Sequence, residues 1–364
     1  MSDPFRLDLD ALREGLKPIR AFSDVARDRL EPMRTKGLVH EHVRIRGASS
    51  VIRVPRLSHW GFAPERHIAY QAACFERAAA SGRTPRLHGV IAPAAGVPYG
   101  ALIVDEIVGR PPRLPADTTA IADTLAAIHV LPVPSPAERA PLPVHDDPVA
   151  ATVAVIRAQA AFLPQADLPP ESHRVIEEEL AWAEKFAAES NGADHPLALV
   201  GTDTHPGNFM IDRRGRAMFV DLEKTLYGQP AIDLAHASLY TSTMWDSDCA
   251  AALAPAEVRA FYARYLAAVP RELADRLRPW LEPMRRLTWL RTTTWAVRWS
   301  VLSARAPGKD GESAATRGWS AEARDPALMA EFRARVADYF DPATIARIRA
   351  EWTGMDKLRL DDIS

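Results

Sequence analysis

Residues 200–212, "VGTDTHPGNFMID", set two acids, a histidine, an asparagine and a Pro-Gly pair among apolar residues, and "FVDLE" (219–223) adds Asp221 shortly afterwards. Between these acids, "FMI" (209–211) and "AMFV" (217–220) read as short strands joined by the turn "DRRG", since apolar runs interrupted by Asp and Gly favour a hairpin. In an antiparallel hairpin the residue before the first strand lies near the residue after the second. Asn208 and Asp221 are therefore expected at one end. Asp203 precedes them in a Pro-Gly loop that can curl back to the same spot. Carboxylate and carboxamide oxygens, with room for water and phosphate oxygens, suit Mg²⁺ better than zinc.

The rest of the chain sets limits. A length of 364 residues suggests about two domains with ample core. A net charge of −2 gives no electrostatic case for nucleic acid. Cys74 and Cys249 are the only cysteines and have no metal-like spacing, which argues against a disulfide framework or a cysteine zinc site. The first residues carry charges throughout and no stretch approaches 18 uncharged apolar residues, so the expectation is a soluble cytoplasmic protein without membrane contact.

In the first third, "GLVHEHVRI" (37–45) and "SVIRV" (50–54) read as antiparallel strands, "RHIAYQAACFERAAAS" (66–81) as a helix, and "ALIV" (101–104) as a strand with a domain boundary at its Gly-Pro exit. Beyond it the spacing turns helical, with Ile121, Leu125 and Ile128 on one face and Val175, Ile176, Leu180 and Ala183 on another. Residues 303–326 read as a long loop.

Taken together, "DTHPGNFMIDRRGRAMFVDLE" (203–223) followed by "GQPAIDLAHAS" (228–238) resembles the aminoglycoside phosphotransferase and choline kinase group of small-molecule kinases. There a D-x-H-x-x-N loop, an I-D-x-E strand end and a P-x-x-D-L-A helix start recur in this order. The resemblance implies an α+β, two-lobed protein-kinase-like fold with a small β-rich N-lobe and a larger, mostly helical C-lobe. The expected divisions are a helical segment at 1–33, a nucleotide-binding lobe at 34–110 and a catalytic lobe at 111–364. It implies ATP as phosphoryl donor, with GTP the alternative, Mg²⁺ on Asn208 and Asp221, Asp203 as catalytic base, and a small-molecule acceptor such as an amino sugar or amino alcohol. Gly37 would cover the phosphates and Arg53 would contact them. The backbone of Asp105, Glu106 and Ile107 would read the base. Oligomeric state is not indicated.

This chain departs from that pattern in two places. Gln71 stands where the helix should offer a Glu to the cation, with Glu65 and Glu76 nearby, so Arg53 would be held by the neutral amide of Gln71 or by one of these acids. Gly201 stands where the loop usually has a His. These departures keep a pseudokinase open, and the "DTH" start keeps a metal-dependent phosphohydrolase open. Simpler roles also apply. Asp203 and Asn208 are good turn formers, His205 is expected to brace the loop by a hydrogen bond, and Asp233 to cap a helix and tie the loop down. Glu223 would reach metal through water or face solvent. Trp295 and Trp299, at i and i+4, read foremost as a core stripe.

Overall fold

The computed structural model describes residues 7–34, 39–58, 60–304, 326–355 and 357–363, with side chains from 329 onward in the last helical region. These residues fall into two compact units, one within 1–108 and the other within 109–304 and 326–364. Gly37 and most of the expected 303–326 loop lie outside the described residues.

The first unit is built on a five-stranded antiparallel sheet. Helix α1 (Leu9–Leu16) precedes β1 (Leu30–Pro32), β2 (His40–Ile45) and β3 (Ser50–Pro55); α2 (Pro64–Ala78), β4 (Leu87–Ile91) and β5 (Ala101–Asp105) complete it, in the spatial order β1-β2-β3-β5-β4. The segment expected to be only helical thus also supplies an edge strand, β1, paired with β2. Leu12 and Leu16 of α1 are fully buried with Ile91 and Ile103, so this helix closes one face of the sheet. Asp8 starts it by accepting hydrogen bonds from the Asp10 and Ala11 N–H groups.

The second unit is mostly helical and carries two small sheets. Its elements are β6 (Gly109–Arg110), α3 (Thr118–His129), α4 (Pro148–Ala160), α5 (Pro170–Glu189), β7 (Ala198–Val200), β8 (Phe209–Asp212), β9 (Ala217–Phe219) and β10 (Leu226–Gly228). They are followed by α6 (Ala231–Ser238), α7 (Tyr240–Thr243), α8 (Pro255–Ala268), the long α9 (Arg271–Ser303), α10 (Pro326–Tyr339) and α11 (Pro342–Arg349). Ile121, Leu125 and Ile128 are buried as their spacing requires. On α5 the inward face includes Glu179 rather than Leu180. Its buried carboxylate receives Arg286 Nε at 2.5 Å and Arg349 Nε at 2.9 Å, and these partners make burial of the charge tolerable. Among the described residues no helix is long and apolar enough to cross a membrane.

The expected hairpin forms, with Phe209 opposite Phe219 and Ile211 opposite Ala217. Its turn is written by Asp212, whose Oδ1 accepts from the Arg214 and Arg216 N–H groups at 2.8 and 2.9 Å, while Gly215 takes a positive φ. From behind, the buried Thr124 hydroxyl donates to the Ala217 carbonyl at 2.6 Å, fastening the hairpin to α3. Thr124→Val should lower the stability of the protein by about 1 kcal/mol through loss of that bond, read as a shift in the urea midpoint with an unchanged slope.

Candidate active site

The loop from β7 to β8 holds Asp203 and Asn208, and a buried carboxylate holds the loop. Asp233, in the first turn of α6, accepts from the Gly201 N–H through Oδ2 and from the Thr202 N–H through Oδ1, both at 2.7 Å. The Thr204 hydroxyl donates to the Asp233 carbonyl at 2.8 Å. Contrary to expectation Asp233 does not cap α6, where Pro230 occupies the N-cap position; its carboxylate ties down the loop, the other half of that expectation. Behind it His129 Nε2 lies 3.1 Å from Asp233 Oδ2, and His129 Nδ1 lies 2.9 Å from the Tyr265 hydroxyl. All three side chains are buried.

The loop curls back as the Pro-Gly spacing suggested. Asn208 Nδ2 donates to the Asp203 carbonyl at 2.7 Å, leaving its amide oxygen outside that bond. The Val220 N–H donates to the Asn208 carbonyl at 2.9 Å. This backbone bond places Asn208 and Asp221 at the same end of the hairpin. An amide oxygen and a carboxylate there form the hard donor set a magnesium ion prefers, so the residues present fit that cation.

Asp203 itself is paired. Lys224 Nζ lies 2.5 Å from its Oδ2, and His236 Nε2 lies 3.7 Å from its Oδ1. Burial alone would raise the carboxyl pKa, but the Lys224 ammonium, helped by His205 and His236, holds it well below the usual carboxylate range. Lys224 is pushed upward because Asp203 and Glu223 outweigh its own burial. Lys224, His236 and Arg291, whose guanidinium donates to the Thr202 carbonyl at 2.6 Å, were not identified from sequence. For Lys224 the available signal was its position directly after "FVDLE". For Arg291, on α9, there was no local signal.

Other expectations are corrected. His205 makes no side-chain hydrogen bond among the described residues, and its ring sits 6.3 Å from that of His236; Asp233 and Asn208 brace the loop in its place. Glu223 is buried rather than facing solvent. Gly201 is required by its neighbour. A Cβ there would lie 2.8 Å from two ring carbons of Phe219, so an aromatic side chain from β9 fills the space beside the loop.

In the first unit Arg53 is buried on β3, with Nη1 3.5 Å from His42 Nε2 and its guanidinium carbon 5.6 Å from the Phe75 ring centre. The expected hydrogen bond to Gln71 is absent. Gln71 is buried on α2 with neither amide atom partnered among the described residues, one turn after a similarly unpartnered His67, while Glu65 and Glu76 are exposed. In the segment expected to read the base, the backbone donors differ in what they already hold. The Asp105 and Glu106 N–H groups already donate to the Arg86 and Ser49 carbonyls, at 3.1 and 2.9 Å. Their carboxylates are engaged by His88 and Arg44. Among the described residues no backbone bond uses the Ile107 N–H.

Near the loop from β7 to β8 in the second unit, Asp246 packs against Gly207, where a Cβ would lie 2.5 Å from its Oδ2. The preceding residue, Trp245, stacks on Phe332 at 5.1 Å and meets Trp295 edge-on at 5.3 Å. Trp299 is buried as a core residue, whereas Trp295 is half-buried.

The model of the phosphotransferase enzyme family matches residues 42–280, well over half of the chain. The chain belongs to that family. No curated protein sequence matches it. Among solved structures, a choline/ethanolamine kinase family protein from Mesorhizobium loti superposes with a TM-score of 0.52 at 18% identity, covering 90% of this chain and 98% of that one. A choline kinase from Cryptosporidium parvum gives 0.55 at 12% identity, covering 94% and 96%. An ADP-bound aminoglycoside phosphotransferase gives 0.50 at 13% identity, covering 92% and 99%. These likenesses are of fold, and they bear out the two-lobed α+β kinase-like architecture.

Two stability predictions come from this geometry. Gly201→Ala should destabilise the protein by about 1–3 kcal/mol through overpacking against Phe219, and adding Phe219→Leu should restore part of the loss in urea unfolding. Burial lowers the pKa of His67 to about 4 and that of His236 to about 3. Both imidazoles are neutral in the fold, while the unfolded chain takes up protons below about pH 6.5. Their contribution is therefore complete above that pH and is lost as pH falls towards 4 and then 3. The melting temperature should decline across that window, and less steeply in His67→Leu.

Proposed function

We propose that this phosphotransferase moves the γ-phosphoryl group of ATP to a hydroxyl of a small molecule, with Asp203 orienting that hydroxyl. The observation that carries this reading is the convergence of Asp203, Asn208 and Asp221: one side-chain bond and one backbone bond gather all three around a single hairpin end. Under this reading residues 34–110 form the nucleotide lobe and 111–364 the catalytic lobe.

The chemistry follows from the state of Asp203. Held ionised by Lys224, it is too weak a base to deprotonate an alcohol in the ground state. It can accept a hydrogen bond from the hydroxyl, align its lone pair, and take the proton late, when the phosphorus–oxygen bond is largely formed. Mg²⁺, held by the Asn208 amide oxygen and the Asp221 carboxylate, would supply neutralisation of phosphate charge. Arg53 is assigned to the phosphates and Gly37 to their cover. The Ile107 N–H, more than those of Asp105 or Glu106, is assigned to the purine edge of ATP or GTP. Trp245, Trp295 and the Asp246 carboxylate beside the loop favour an acceptor that bears an amine as well as a hydroxyl, an amino alcohol or amino sugar.

Mg-ATP should raise the melting temperature, and Asp221→Ala should remove most of that shift. Asp203→Asn should retain the shift and lower transfer by about 10²-fold to 10⁴-fold. The decisive assay is a screen of amino alcohols, amino sugars and nucleosides with labelled ATP. A labelled acceptor with ADP supports the reading. Phosphate release without acceptor would favour a hydrolase, and binding without turnover a pseudokinase.

A further inference from the structure

Thr202, the residue before Asp203, has φ of 57°, in the left-handed region. For a β-branched side chain this is a true outlier, because Cβ crowds the following carbonyl oxygen. Such a conformation persists only where the surroundings over-determine it. Here every polar group of the residue is held. Its N–H donates to Asp233 Oδ1 at 2.7 Å, its hydroxyl donates to the Lys224 carbonyl at 3.0 Å, and its carbonyl accepts from Arg291 Nη2 at 2.6 Å. Lys224 then reaches past Thr202 to pair with Asp203. The side chain of Thr202 is buried, so solvent does not supply a substitute partner.

The three holders differ in what they can control. Asp233 fixes the entrance of the loop and Lys224 grips both Thr202 and Asp203. Arg291 alone acts on the carbonyl of the peptide that joins Thr202 to Asp203. It comes from α9, 89 residues further along the chain. The charged and titratable groups close enough to act on its charge are Asp203 and Asp233 on the acidic side and Lys224, His236 and His145 on the basic side.

We infer that Arg291 is a positioning residue: by holding the Thr202 carbonyl it keeps Thr202 left-handed, and this sets the direction in which the Asp203 carboxylate leaves the backbone. Without Arg291 the Thr202–Asp203 peptide is free to rotate towards the extended or right-handed region that a threonine prefers. That rotation carries the Asp203 Cα–Cβ bond with it and draws the carboxylate away from its alignment. The inference rests on the reading of Asp203 given above for its catalytic consequence, though not for its conformational one.

A glycine at 202 has no left-handed penalty, so Thr202→Gly separates the two roles Arg291 could have. In the natural chain Arg291→Met should lower kcat by about 10-fold to 100-fold, the cost of misplacing a reacting group by about an ångström, with KM for Mg-ATP and acceptor unchanged. It should also lower the melting temperature by about 2–4 °C. Arg291→Lys, which can still donate to the carbonyl, should recover most of both. In the Thr202→Gly chain the same Arg291→Met change should cost clearly less in kcat and in melting temperature, because nothing strained is left to hold.

Equal losses in the two backgrounds would overturn the inference, as would a loss residing in KM, which would make Arg291 a substrate contact. If Arg291→Met does not fold, Arg291→Lys and Arg291→Gln in both backgrounds give the same comparison. The melting arm needs no acceptor: were no phosphoryl transfer found, the proposed function would fail while the coupling between positions 202 and 291 would still be decided.

Discussion

The buried carboxylate of Asp233 is the constraint from which the rest of the site is built. It takes two consecutive N–H groups of the loop that carries Asp203 at 2.7 Å, and with His129 and Tyr265 behind it forms a hydrogen-bonded chain from α8 through α3 and α6 to the loop. A buried carboxylate is costly unless several donors satisfy it. Gly201 and Thr202 are therefore pinned by the same interaction that makes the buried charge tolerable. Once they are fixed, the Pro-Gly turn returns the chain to the hairpin, and Asn208 closes the loop on Asp203.

The hairpin end was legible because its logic is local. A strand, an Asp-Gly turn and a second strand bring Asn208 and Asp221 to one hairpin end without reference to the rest of the molecule, and the Val220 N–H bond to the Asn208 carbonyl lies at that end. In the first unit β2, β3, β5 and α2 were legible for the same reason, whereas β1 and β4 were not read as strands. Partners that come from far along the chain were not. Arg291 reaches Thr202 across 89 residues, and His129 reaches Asp233 across 104, with nothing in either local pattern to mark the contact. The expected Arg53–Gln71 bond failed differently. Matching a position on α2 identifies the side chain that should face the cation, but not whether the rotamers bring an amide within hydrogen-bonding distance.

The Gly201 departure has a packing origin. The space beside the loop is taken by Phe219, which also packs against Phe209 across the hairpin with ring centres 5.1 Å apart. A larger residue at 201 and an aromatic one at 219 cannot coexist in that volume, so the two positions form one choice. The loop gives up a polar side chain at 201 and is braced instead by Asp233 from one side and an aromatic core from the other. The Phe219 contact does not involve the side chains of Asp203, Asn208 or Asp221, so the packing at 201 is compatible with the proposed chemistry.

The Lys224–Asp203 pair bears on how that chemistry is shared. A carboxylate whose proton affinity is depressed by a neighbouring ammonium gives little driving force for removing an alcohol proton early. It gives strong, directional acceptance of a hydrogen bond, and it remains ionised over the range in which ATP is fully charged. Phosphoryl transfer through a loose transition state asks for that division, since the nucleophile acquires appreciable positive charge only after its bond to phosphorus has formed. The same ammonium lies 2.5 Å from Oδ2, while Oδ1 has the His236 imidazole 3.7 Å away. Under the proposed reading, the orientation of this one carboxylate would set the reactive geometry, and the residues that fix the Thr202–Asp203 peptide would matter as much as the carboxylate itself.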